Sequence, residues 1–334
     1  FEVFISLNIS QHNVIYETVL SPRGNLLVNQ HIYSGNPLDR GDAERRDEQF
    51  LVHASEHSSS RFLLFKNQEI LITRSSKPDV TWLSRKDLEG MRISEPVFLG
   101  ILESVYYFAV DNIDEECSLT GFENSEFIDL RSLTDIVDHS EASMAAQGKA
   151  QLDWHKRNGF CGVCGANTVM KRGGQVRQCS RCSSFNYART DSVVIMIIYS
   201  GDWCLLGQTR GRSTDKTRYS VLAGFVEQGE SIEEAVAREV MEEAGVSVKN
   251  VRYHSSQPWP FPSNLMIGCY GEASSTNIKM DNEEMQDIRW FHRDEIARSL
   301  QGLNDSLTLP GPIAIAHHLI KSWVEGTLHQ IDES

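Results

Sequence analysis

Within GFVEQGESIEEAVAREVMEEAGV, Gly224 to Val246, three glutamates have the spacing of a cation-binding face. Glu239 and Glu243 are four residues apart and Glu242 is three from Glu239, so on a helix their carboxylates crowd one side. Like charges that close repel each other, and divalent cations turn the repulsion into coordination. A solvated acidic helix has the same composition, so spacing alone leaves both readings open. A second set is four cysteines, Cys161, Cys164, Cys179 and Cys182, arranged as CxxC, fourteen residues, CxxC. Gly or Ser beside each pair allows tight turns, and four converging thiolates complete a closed tetrahedral zinc shell. With no position left for water, such a zinc is structural.

These residues need elements to hold them. Val236, Val240 and Ala244 predict a helix from Ser231 to Ala244 buried on the side next to the carboxylates, with Gly245 as its stop. Short apolar runs predict strands at Phe62–Phe65, Val97–Gly100 and Val105–Asp111, mixed with polar stretches such as HASEHSSSR, and therefore a mostly β N-terminal domain of α+β type. Ser140 to Arg157 reads as a connector helix packed through Ala145, Ala146, Leu152 and Trp154. Strands are expected at Val193–Tyr199, Trp203–Gln208, Val251–His254 and Leu265–Tyr270, and a last helix from Gly311 to Val324. The resulting domains are 1–155, a ribbon over 156–188, and an α/β sandwich over 189–326.

The formal charge of −14 over 334 residues argues against broad electrostatic binding to nucleic acid or anionic membrane. His155 to Thr190 carries seven basic residues and no acid, which fits compensation of a cluster of four thiolates and one zinc ion. No apolar run reaches membrane-spanning length, so the chain reads as a soluble protein with no membrane partner. Cys117, Cys204 and Cys269 are scattered, a poor disulfide framework, which favours an intracellular, reducing compartment. Cytoplasm, peroxisome and mitochondrion are left undistinguished.

The string Gly224, five residues, Glu230, seven residues, Arg238-Glu239-Val240, one residue, Glu242-Glu243, one residue, Gly245-Val246 matches the Nudix box at every defined position. The chain thus resembles the Nudix hydrolases. That resemblance implies an α/β/α sandwich and hydrolysis of a nucleoside-linked diphosphate with Mg2+ or Mn2+. Glu239, Glu242 and Glu243 would hold the metals, Arg238 would pair with Glu230 to orient the helix, and Glu242 or Glu243 would serve as base. Gly224 and Gly245 are the structural glycines of the box. The chemistry is apt, since hard cations prefer oxygen ligands, neutralise phosphate charge and lower the pKa of an attacking water.

SQPWPFP, eleven residues after Gly245, together with the cysteine ribbon, resembles the NADH pyrophosphatase branch. This implies conversion of NAD(H) and water to NMN(H) and AMP, with NAD-cap removal from RNA 5′ ends, or hydrolysis of ADP-ribose or diadenosine polyphosphates, as alternatives. A non-catalytic RNA or protein adaptor is the rival from another class, and the intact box counts against it. The resemblance further implies a homodimer, a metal-binding backbone carbonyl at Ala223, and a carboxylate from Glu284. Substrate contacts would come from Tyr187, Phe225, Ala316 and the motif residues Gln257, Pro258, Trp259, Pro260, Phe261, Pro262, Ser263 and Asn264. The branch motif usually ends in Ser where this chain has Asn264. Pro fixes its own φ and extends the residue before it, so Gln257, Trp259 and Phe261 are expected to be extended, outside helix and central strand. Trp259 and Phe261 then either wall a pocket or plug a core.

Overall fold

A computed structural model describes residues 19–20, 26–27, 31–76, 78–114, 121–133, 137–211 and 214–328; Cys117 lies outside them. The chain divides into two units, Phe1–Gln30 and His31–Ser334. In the first, β1 (Val19–Leu20) pairs antiparallel with β2 (Leu26–Leu27).

The second unit begins with a sheet in the order β5-β4-β3-β8-β7, built from β3 (Arg61–Lys66), β4 (Glu69–Thr73), β5 (Asp79–Val80), β7 (Val97–Leu102) and β8 (Val105–Asp111). Short β6 (Trp82–Leu83) joins β3, and β9 (Ser125–Ile128) joins β4. The strand period of two sends Phe62 and Leu64 to one core and Leu63 and Phe65 to another. The second core is covered by α2 (His139–Arg157), the expected connector, through Ala142, Ala145, Ala146 and Leu152. Part of the polar stretch HASEHSSSR is helical: α1 (Glu48–Glu56) starts on an Asp47 cap that accepts from the Gln49 and Phe50 amides. Its large apolar residues Phe50, Leu51 and Val52 are consecutive rather than spaced by three or four, which hides it from a periodicity reading.

The ribbon follows as β10 (Thr168–Lys171), β11 (Val176–Cys179) and β12 (Phe185–Tyr187), all antiparallel. Next comes a sheet in the order β16-β17-β13-β14-β18, with β15 on β13. Its strands are β13 (Asp191–Ser200), β14 (Trp203–Thr209), β15 (Leu222–Phe225), β16 (Val248–Trp259), β17 (Asn264–Ala273) and β18 (Met285–His292). On β13, Val194, Met196 and Ile198 face α3 (Ile232–Ala244), while Ile195 and Ile197 face α4 (Arg293–Leu300) and α5 (Ile315–Glu325). The expected α/β/α sandwich is thus formed. Helix α5 starts at Ile315 rather than Gly311, because Pro310 and Pro312 punctuate the approach and the carbonyls of both accept from His317 and His318.

Where residues 31–33 meet β16 and α5, three buried or half-buried histidines gather. The Ser255 hydroxyl bonds both His31 Nε2 (2.7 Å) and His254 Nδ1 (2.8 Å), His254 Nε2 reaches Ser322 (3.1 Å), and the His31 and His318 rings are 4.7 Å apart. Burial, and then the neighbouring histidines, push His31 down to about 3 and His254 down to about 4. His317 and Lys321 add positive charge beside His318. A histidine held neutral in the folded state gives its full stabilisation above the ordinary pKa of about 6.5, and loses it as pH falls towards the folded value. Going from pH 7 to pH 5 is therefore expected to cost about 2 kcal/mol per buried histidine. Urea unfolding at the two pH values measures this, and a His31→Gln variant with the wild-type pH dependence would contradict it.

Candidate active site and metal centre

The box folds into a strand, a loop and a helix. β15 brings Ala223, Gly224 and Phe225 alongside Ile195, Val194 and Val193 of β13. After the turn at Gly229, Ser231 caps α3 in a reciprocal capping box with Glu234. At the other end Gly245 takes φ +67°, a left-handed conformation that favours glycine, and a Cβ there would also meet the Lys279 side chain at 2.7 Å. Ala235, Val236, Val240 and Ala244 seat the helix on the sheet.

Arg238 organises this centre. It donates Nε and Nη2 to the two oxygens of Glu230 (2.6 and 2.9 Å), Nη2 also to the Phe225 carbonyl (2.9 Å), and Nη1 to Glu239 and Glu242 (2.9 Å each). The guanidinium holds Glu230 down at about 2, so this carboxylate stays ionised. Burial raises Glu239, against the pull of Arg238. Gly224 makes room for Glu239: a Cβ at Gly224 would lie 1.8 Å from the Glu239 carboxyl carbon.

The three box glutamates share one helix and differ in environment. The Glu239 side chain is 12% exposed and lies against β15, Glu242 is 60% exposed, and Glu243 is buried at 7% on the core side. Over the C-terminal end of α3 the Asp281 amide donates to the Glu243 carbonyl (3.0 Å) and the Lys279 amide to that of Ala244 (2.7 Å). This segment leads to exposed Glu284, whose charge acts on Glu239. Carboxylate oxygens are the donors a hard divalent cation prefers, and Glu239 and Glu242 meet at Arg238, but the box glutamates do not converge as the four cysteines do.

The four cysteines converge. Their sulfurs lie within 4.8 Å of one another, the only such group of metal-ligand side chains among the described residues. Cys161 and Cys182 are 3.7 Å apart and Cys164 and Cys179 are 3.4 Å apart, near the roughly 3.8 Å edge of a tetrahedron of zinc–sulfur bonds. The Ser184 hydroxyl, 3.1 Å from Cys161, lowers that thiol, while at Cys164, despite the Ala166 backbone, hydrogen bonding to its cysteine neighbours leaves the thiol raised. All four are free of disulfides.

The aromatic motif takes an unexpected position. Gln257 and Trp259 are extended, as the end of edge strand β16, while Phe261 lies in the turn to β17. Gln257 is fully buried: its amide nitrogen donates to the carbonyls of Ile313 (2.7 Å) and Ile32 (3.3 Å), and its oxygen accepts from the Ile315 amide (2.8 Å). Trp259 and Phe261 pack against the N-terminal core, with Pro258 and Pro262 partly exposed and Pro260 buried. The Ser263 hydroxyl donates to Asp191 (3.0 Å), and Asn264 opens β17 opposite Trp259. Ala316 is buried in the α5 face of the sandwich, whereas Phe225 and Tyr187 are 59% and 61% exposed on β15 and β12. Sequence reasoning passed over Tyr33, Arg131 and Lys149, which surround the motif; the available signal was a lysine on the apolar stripe Ala142-Ala145-Ala146-Leu152 of α2.

Comparison with known proteins agrees with this architecture. Family models match a NUDIX domain at residues 188–308, an NADH pyrophosphatase zinc ribbon domain at 156–187, and an NADH pyrophosphatase-like rudimentary NUDIX domain at 59–154. The chain is 34% identical to the NAD-capped RNA hydrolase NUDT12 of Macaca fascicularis, covering 88% of this chain and 73% of that protein. This chain belongs to the Nudix hydrolase family. It is 37% identical to an NAD-capped RNA hydrolase of Schizosaccharomyces pombe (87% of this chain, 92% of that one). With the mitochondrial NAD(P)H pyrophosphatase NUDT13 of Mus musculus the identity is 36% (79% and 84%).

For this Nudix hydrolase, Gly224→Ala is expected to displace the Glu239 carboxylate and lower turnover about 10²-fold, as a misplacement of about 1 Å does. Steady-state kinetics on a variant shown by its melting curve to be folded test this, and wild-type turnover would count against the packing argument.

Proposed function

We propose that this protein hydrolyses the diphosphate of NAD(H), releasing NMN(H) and AMP. The observation that carries the reading is the Arg238-centred box on β15 and α3, in a chain whose relatives are named for NAD(P)H pyrophosphatase and NAD-capped RNA hydrolase activity. Glu239, Glu242 and Glu243, with the Ala223 carbonyl and Glu284, would hold Mg2+ or Mn2+. When bound, such ions neutralise phosphate charge and acidify water.

The chain's own residues do the rest. Arg238 holds Glu239 against β15 and ties Glu242 beside it, and Glu242 or Glu243 takes the proton of the water that adds to phosphorus as the bridging P–O bond breaks. Phe225 and Tyr187, both exposed, are suited to stack on a flat base; the motif residues would add substrate contacts, and Ala316, buried on α5, would do so through its backbone. The Cys161, Cys164, Cys179 and Cys182 cluster would take one structural Zn2+. The active form is a homodimer in a reducing, intracellular compartment.

NAD-cap removal from RNA 5′ ends is the second reading, favoured by the names of two relatives. With Mg2+, NADH is expected to yield NMNH and AMP, and Glu243→Gln to lower kcat by about 10²–10⁴-fold with fold and zinc content kept. Unchanged turnover in that variant would end the assignment. The kcat/KM values for NADH, NAD, ADP-ribose and NAD-capped RNA then rank the substrates.

A further inference from the structure

The segment from Gln257 to Phe261 belongs to the catalytic domain, yet it is held from outside it. Lys149 of α2 is only 4% exposed, and its ammonium donates to the Pro260 carbonyl (3.0 Å) and to the Gln68 side chain (3.1 Å). Gln68 in turn donates to Asp153 (3.0 Å), so the lysine is locked from behind. A charged donor is costly to bury, and here it is spent on one backbone carbonyl of this loop. Arg131 stacks on the outer face of Phe261, its guanidinium carbon 3.9 Å from the ring centre. Tyr33, tied to the Leu130 carbonyl (3.0 Å), meets the edges of Trp259 and Phe261 at 6.1 and 6.0 Å between ring centres. Gln257 completes the attachment through the Ile32 carbonyl.

Trp259 and Phe261 both keep partly exposed surface. Phe261 is covered by Arg131 and Lys149 as well as by the N-terminal core, so the partly exposed surface of Trp259 is the larger part left for a ligand.

We infer that the N-terminal domain is a clamp that sets the shape of the Gln257–Phe261 loop, and that Lys149 and Arg131 are positioning residues for dinucleotide binding. The inference rests on the NAD(H) reading for its substrate and on the contacts above for its geometry. A clamp acts on binding: it removes the entropy the loop would otherwise lose when substrate docks, and leaves the box carboxylates, on α3, untouched. Its signature is a rise in KM with kcat kept.

The full-length protein carrying Lys149→Met, which keeps the side chain's length and removes its charge, and separately Arg131→Ala, provides the test. A hydrogen bond from a charged donor corresponds to about a tenfold effect. Lys149→Met is therefore expected to raise KM for NADH about tenfold with kcat within about threefold, and Arg131→Ala to raise it less. In hydrogen–deuterium exchange, the Trp259 and Phe261 amides are expected to exchange faster in both variants while β13 stays protected. Unchanged loop exchange overturns the clamp whatever the activity. Unchanged KM in both variants, with KM raised in Trp259→Ala, overturns it while the NAD(H) reading stands. Failure of the wild type to hydrolyse NADH overturns that reading instead, and the exchange data still decide the clamp.

Discussion

The catalytic domain depends on one guanidinium. Arg238 has five N–H donors in a rigid plane, and the five acceptors described above satisfy all of them: both oxygens of Glu230, the Phe225 carbonyl, Glu239 and Glu242. Those acceptors come from three pieces of chain, a strand, a loop and a helix. The angle between α3 and the sheet, the path of the loop and the separation of two acidic side chains are set together. A lysine could not do this, because its point charge has no fork to span the two oxygens of Glu230 while reaching the other three.

Around that centre the protein separates its charges by task. The box concentrates acids where a cation is wanted. The ribbon concentrates thiols, with basic residues and no acids around them. The interface between domains uses a third device, aromatic rings bordered by Arg131 and Lys149.

Much of this was legible in the sequence because it is local. Glu230, Arg238, Glu239, Glu242 and Glu243 lie within fourteen residues, and helical geometry relates them; the four cysteines need only a hairpin. The strands around Phe62–Phe65 and Val193–Tyr199 follow from apolar runs. Less legible was the divergence of Glu242 and Glu243, since which flank of α3 faces water is decided by the seating of Val236 and Val240 on β13. The attachment of Gln257, Trp259 and Phe261 to residues 31–33 and to α2 was not legible at all. It joins positions more than a hundred residues apart, and no repeat or spacing announces such a contact. The late start of α5 reflects the same limit: the prolines mark a boundary, and Gln257, distant in sequence, fixes where the first helical amide finds its partner.

Strands β13 and β17 pair in parallel at the middle of the catalytic sheet, from Asp191–Asn264 to Tyr199–Glu272. Everything between them, including the box, α3 and the aromatic loop, is the crossover that a parallel pair requires. The central ladder can therefore close only once that long excursion has come back, a high-contact-order step that slows folding. A nascent chain stalled before β17 would carry the whole box and lack the strand that closes the sheet over it.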